Sequence, residues 1–134
     1  MGIVIDTDVW VLAEKAANKL NLDRWTQFGG AYMSVVTASE LLVGVERANT
    51  PQRKAQRGAF VEYLLASVPI LEFSAPVART HARMLAALPK GKTATAHDAL
   101  IAATAIHHGH ALLTRNVSDF VIFAGLNVET FSLE

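Results

Sequence analysis

Cysteine is absent from the 134 residues. Its absence excludes a disulfide framework, a thiolate nucleophile and any zinc site of the cysteine type. Long apolar runs are missing too. The best candidate, ALIAATAI at residues 99–106, falls well short of the roughly 20 residues that cross a bilayer, and His107 and His108 stop it. Nor is there an excess of charge, because 12 Lys and Arg balance 12 Asp and Glu, so the bulk composition does not advertise non-specific nucleic-acid binding. The first residues lack a basic stretch followed by an apolar one, and Asp6 and Asp8 stand where a signal peptide is greasy. Asp6 also takes the place of the Ser or Thr of a myristoylation signal. These absences set the expectation of a cytoplasmic protein with no membrane association.

What is present points to a packed α/β domain. Hydrophobic residues make up 51% against 18% charged, which excludes a disordered chain, and the length suits one domain over residues 1–134. GIVID reads as a buried strand, and VWVLAEKAANKL after it has helical spacing, with Lys15 and Lys19 on the wet side. After a Gly-Gly break, GGAYMSVV gives a second strand and TASELLVGVERA a helix beginning at Thr37. Pro51 suits the first turn of a third helix, carried by Phe60, Val61, Leu64 and Leu65. The strand ILEF follows, then a helix from Ser74 or Pro76 through VARTHARMLAAL. The turn PKGKT leads to AHDALIAATAIHH, apolar nearly all round and closed by Gly109 at the C-cap, which belongs in the middle of a fold. HALLT is a strand, VSDFVIF a short helix capped by Ser118, and NVETF a last strand. Strands separated by helices predict a mostly parallel sheet of four to five strands with helices on both faces.

In such a sheet, ligands gather beyond the carboxyl ends of the strands, and acids stand at those junctions. Asp6 ends the first strand, Glu40 lies in the turn after the second, Asp98 opens the alanine-rich helix, and Asp119 follows ALLT. Each has a structural reading. Asp6 and Asp8 can cap the first helix, Asp119 can favour a helix N-terminus, and TASE is a capping-box pattern in which Glu40 reaches back to Thr37. As a set they are different, because crowded carboxylates repel unless a cation neutralises them. Oxygen-only donors match Mg²⁺ or Mn²⁺. The five histidines, His81, His97, His107, His108 and His110, read as peripheral, facing solvent or capping. Two stretches are purely basic: Arg47, Arg53, Lys54 and Arg57 lie between Glu46 and Glu62, and Arg79, Arg83, Lys90 and Lys92 between Glu72 and Asp98. On charge alone they read as solvated helix faces.

IDTDVW, SELLVGV, HDALIAATA and LLTRNVSDF, in this order and over nearly the whole chain, together resemble a PIN domain of the VapC type, the ribonuclease toxins of toxin-antitoxin pairs. The resemblance implies that Asp6, Glu40, Asp98 and Asp119 bind one or two Mg²⁺ or Mn²⁺ ions, with Asp6 and Asp98 the firmest ligands. It implies further that Asn116 lies beside the site, that Thr7 and Thr114 support it by hydrogen bonds, and that Asp8 acts as an orienter. The expected reaction is hydrolysis of RNA, such as tRNA or rRNA, by water attacking phosphorus in line and leaving a 5′-phosphate and a 3′-hydroxyl. Arg47, Arg53, Lys54, Lys90 and Lys92 become candidates for RNA phosphate contacts. A homodimer and a cognate antitoxin, whose C-terminal segment lies in the groove, are the implied partners, with ELLVGV and FVEYLLASV able to supply the surfaces.

Two rivals stand beside this reading. DTDVW resembles the start of the haloacid dehalogenase phosphatase motif, but Trp10 stands where that class needs Thr or Val. The other rival is a catalytically silent PIN-like module that binds RNA or a protein.

Overall fold

The computed structural model describes residues 1–15 and 30–130. In chain order the elements are β1 (Ile3–Ile5), α1 (Thr7–Lys15), β2 (Ala31–Ser34), α2 (Val35–Glu46), α3 (Pro51–Ser67), β3 (Ile70–Leu71), α4 (Ala75–Ala86), α5 (Ala96–His108), β4 (Ala111–Leu113), α6 (Val117–Phe120) and β5 (Val128–Glu129). The five strands form one sheet in the order β3-β2-β1-β4-β5, and every pairing is parallel. Val4 stands opposite Tyr32 on one side and Leu112 on the other. From β1 the chain builds outward through β2 and β3, then returns to lay β4 on the opposite side of β1. The topological switch point, where open sheets leave a crevice, therefore lies between β1 and β4.

Strand alternation sends side chains to two cores, one on each face. Ile3, Ile5, Met33, Ala111 and Leu113 pack with Val9 and Trp10 of α1, Ala38 and Leu41 of α2, and Val61 and Leu64 of α3. Val4 and Leu112 pack on the other face with Val77 and Met84 of α4, Ala99 to Ala105 along α5, and Phe120. Burial on both faces is why β1 and β4 read as unbroken apolar runs. The alanines of α5 let it lie close over the sheet, and Thr104, fully buried, satisfies its hydroxyl on the carbonyl of Leu100 at 2.8 Å. Gly109 ends the helix in the left-handed region at φ 70°, and Pro51 occupies the first turn of α3 behind the cap Thr50. Among the described residues no helix is long and apolar enough to cross a membrane.

Local boundaries depart from the sequence reading in two places that matter for the site. Helix α2 starts at Val35, not Thr37, and its cap is Ser34, whose hydroxyl accepts the N–H of Val36 at 3.1 Å. The β-branched pair Val35 and Val36 reads as strand, but the cap turns both residues into the first helical turn. Ser118 does not cap α6; Asn116 holds that position, without a side-chain capping bond, and the helix is a single turn. ILEF and NVETF are strand only at Ile70–Leu71 and Val128–Glu129. The part of the predicted first helix beyond Lys15, Lys19 included, together with Gly29 and Phe131, lies outside the described residues.

Candidate functional site

Asp6 follows β1 directly and extends the ladder by donating its N–H to the Leu113 carbonyl of β4 at 2.9 Å. Its carboxylate thereby emerges at the switch point, only 4% exposed. One oxygen accepts the Thr7 N–H and the other the Thr114 hydroxyl, each at 2.8 Å. Thr114 is itself fully buried and accepts the N–H of Asn116 at 3.0 Å, so Asn116 supports the site through its backbone. Despite these donors, burial pushes the Asp6 carboxyl up to about 7, and the neighbouring charge of Asp8 adds to the rise. Asp8 accepts the N–H of Arg115 on Oδ2 at 3.2 Å. Its Oδ1 is buried without a hydrogen-bond partner among the described residues.

Glu40 belongs to the same network and is not a helix cap. It sits past the first turn of α2, capped by Ser34, and its Oε1 accepts the Thr7 hydroxyl at 2.7 Å. Thr7 Oγ1 also lies 3.0 Å from the hydroxyl of Thr37. A hydroxyl carries one proton, so Thr7 gives its proton to the carboxylate and Thr37 donates to Thr7. Oε2 of Glu40 lies 3.2 Å from Nδ1 of His97, so His97 faces solvent as expected but also touches the acid network. The other four do lie away from the acids: His107 meets Thr80, His110 accepts the Gly2 N–H and stacks on Tyr32, His108 stacks on His110, and His81 packs edge-on against Phe73.

Asp98 comes in from α5, where Thr95 caps the helix and accepts the Asp98 N–H at 3.2 Å. Its carboxyl is raised above the usual range, first by burial and then by the charges of Asp119 and Glu40. Asp98 and Asp119 share a cavity of about 400 Å³ with Lys92, Thr95, Ser118 and Ile122. Acids from three separate elements, α2, α5 and α6, are therefore within electrostatic reach of one another, and Thr7 ties Glu40 to Asp6. Sequence alone does not point to site roles for Thr95, Thr37 or His97: Thr37 reads there as a helix start and capping partner of Glu40, and His97 as peripheral, its one signal being that it stands next to Asp98 at a helix start.

The acids gather without closing on a single point. Among the described residues, no three Asp, Glu, His or Cys side chains stand close enough to enclose one ion as they lie. The donor set nevertheless suits a hard divalent cation. It is made of oxygens, Asp8 beside it keeps a buried carboxylate oxygen without a hydrogen-bond partner among the described residues, and burial with neighbouring acid charge raises the carboxyls of Asp6 and Asp98, a penalty that a bound cation offsets. Among the described basic residues, only Lys92 lines the cavity of Asp98 and Asp119. Lys54 pairs with Glu46 at 3.3 Å and Arg53 bonds Asn49 at 3.0 Å, all on exposed surface. Lys90 is exposed in the turn before α5, and Arg47 borders a groove along α2.

A parallel α/β domain with acids gathered at the switch point defines the class. The PIN domain model matches residues 3–123, and the chain belongs to the PIN domain family. It is 41% identical over 133 residues to ribonuclease VapC1 of Rickettsia felis, covering 98% of both chains. Its fold matches that of VapBC2 from Rickettsia felis, bound to a DNA fragment from their promoter, with a TM-score of 0.85, 25% identity, and coverage of 98% of this chain and 100% of that one. It also matches VapBC-5 of Mycobacterium tuberculosis, a member of the VapBC family of toxin-antitoxin systems, with a TM-score of 0.76, 29% identity, and coverage of 99% and 100%.

Proposed function

We propose that this protein is a divalent-metal-dependent ribonuclease of the toxin type, restrained by a cognate antitoxin. The observation that carries the reading is the convergence of acids from separate elements: Asp98 of α5 and Asp119 of α6 line one cavity, and Thr7 bonds both Glu40 of α2 and Asp6. Membership of the PIN family removes the phosphatase rival, and the VapC1 relative is a ribonuclease. Asp6, Asp98 and Asp119 are the residues that would hold Mg²⁺ or Mn²⁺, with Glu40 beside them. When bound, such an ion lowers the pKa of water and offsets charge gathering on phosphoryl oxygens. The protein's own side chains do the rest. Thr114 and the Thr7 N–H fix the Asp6 carboxylate, the Thr95 cap places Asp98 at the start of α5, and Lys92 offers a cation to the RNA backbone at the cavity mouth.

For the antitoxin and a homodimer, the surface offers a groove of about 560 Å³ along α2, lined by Val35, Ala38, Ser39, Leu42, Val43 and Arg47. Leu42 and Val43 of ELLVGV are exposed, whereas Leu41 is core. In FVEYLLASV, Val61 and Leu64 are core and Tyr63 faces out.

A second reading, a PIN scaffold that binds RNA or protein without cutting, draws on acids that do not close on a single point among the described residues. One experiment separates them. Purified protein given total tRNA and rRNA with Mg²⁺ or Mn²⁺ cleaves them, a chelator stops it, and Asp98→Asn loses at least about 100-fold in rate with an unchanged melting temperature. RNA left intact under every metal condition, while still bound, supports the silent scaffold.

A further inference from the structure

We infer that His97 is a positioning residue that acts through Glu40, and that Glu40 orients the attacking water without joining the direct ligands of the ion. This rests on the nuclease reading above. Both Glu40 oxygens are already engaged, Oε1 by the Thr7 hydroxyl at 2.7 Å and Oε2 by His97 Nδ1 at 3.2 Å. The clasp has a fixed side and an outer side. Thr7 is braced by Thr37, which is fully buried, whereas the His97 side chain is 62% exposed against 30% for Glu40. His97 therefore lies over the carboxylate from solvent, on the residue preceding Asp98. A neutral imidazole with its proton on Nδ1 can donate across this contact, so the clasp does not need a charged histidine. Asp6 also has a donor on each oxygen, but both come from within the protein; at Glu40 the outer donor is the solvent-side imidazole, which covers the oxygen an ion would approach and leaves the remaining lone pairs to accept from a water.

In the hydrolysis, the water oxygen bonds to phosphorus and the bond to the 3′ oxygen breaks. The 3′ oxygen gains one proton, and the other stays on the new 5′-phosphate or passes to solvent. Aligning that water is the task assigned to the His97–Glu40 pair.

A kinetic double-mutant cycle with a metal titration tests the inference. His97→Ala lowers kcat about tenfold with KM and melting temperature unchanged, and His97→Asn, whose amide nitrogen sits near the place of Nδ1, restores most of it. The double variant His97→Ala with Glu40→Gln is no slower than Glu40→Gln alone. Losses that multiply would show His97 acting on the RNA directly and overturn the inference. Mn²⁺ binding by calorimetry gives a readout independent of turnover. Glu40→Gln keeps the affinity within about threefold, while Asp98→Asn loses more than about tenfold. Equal damage from both would make Glu40 a direct ligand and end the inference alone. A wild type that neither takes up Mn²⁺ nor cuts RNA would end the nuclease reading and this inference with it.

Discussion

Asp6 is gripped by two donors and still sits near neutrality, with its carboxyl raised from 3.8 to about 7 chiefly because it is buried at the switch point. The consequence for stability has a definite sign. Below pH 3.8 both folded and unfolded chains hold the proton, and nothing is lost. As pH rises from 3.8 toward 7, the unfolded chain gives up its proton freely while the folded protein resists ionising a buried acid beside Asp8, so stability falls across this window and levels off above it. In the presence of a chelator, Asp6→Asn is therefore more stable than wild type at pH 8, by on the order of 1 kcal/mol or more. Urea unfolding should show the gap closing as pH falls toward 4, and a gap that is the same at both pH values would contradict the account. A saturating divalent cation should narrow or reverse the difference at pH 8, because only the aspartate gains from binding.

At the level of the elements, caps and glycines decide where the acids stand. Ser34 turns the chain from β2 into α2 two residues earlier than the Val-Val pair suggests, and this rotates Glu40 away from the Thr37 amide and onto the Thr7 hydroxyl. Ser34→Ala should cost about 1 kcal/mol in thermal or urea unfolding. At the far end of α5, Gly109 has open space where a Cβ would go but a φ of 70°. Gly109→Ala is thus expected to destabilise by about 1 kcal/mol through backbone strain alone, with RNA cleavage at permissive temperature unaffected. Periodicity displayed α5 and its end correctly because hydrophobic pattern and cap chemistry agree there. At α2, the two signals compete, and the cap prevails.

Over the whole molecule, net charge is zero while its arrangement is strongly uneven. The acids converge at one edge of the sheet, and among the described residues Lys92 is the cation in the cavity of Asp98 and Asp119. Lys54 spends its charge on Glu46 in an exposed pair of little energetic weight. Lys92→Ala should therefore raise KM for RNA several-fold and flatten its salt dependence, while Lys54→Ala changes both much less. Steady-state kinetics at two salt concentrations would show it, and equal effects would return both residues to the solvated faces that charge counting suggests. The residue pattern by itself determined the α/β class, the sheet with helices on both faces, and which acids end up at strand ends, because apolar period and turn chemistry are local properties of the chain. Only the tertiary structure decided that β1 and β4 lie side by side, that Thr114 reaches Asp6 across 108 positions of sequence, and that His97 meets Glu40. Those contacts depend on strand order and helix register, which no local stretch of residues encodes.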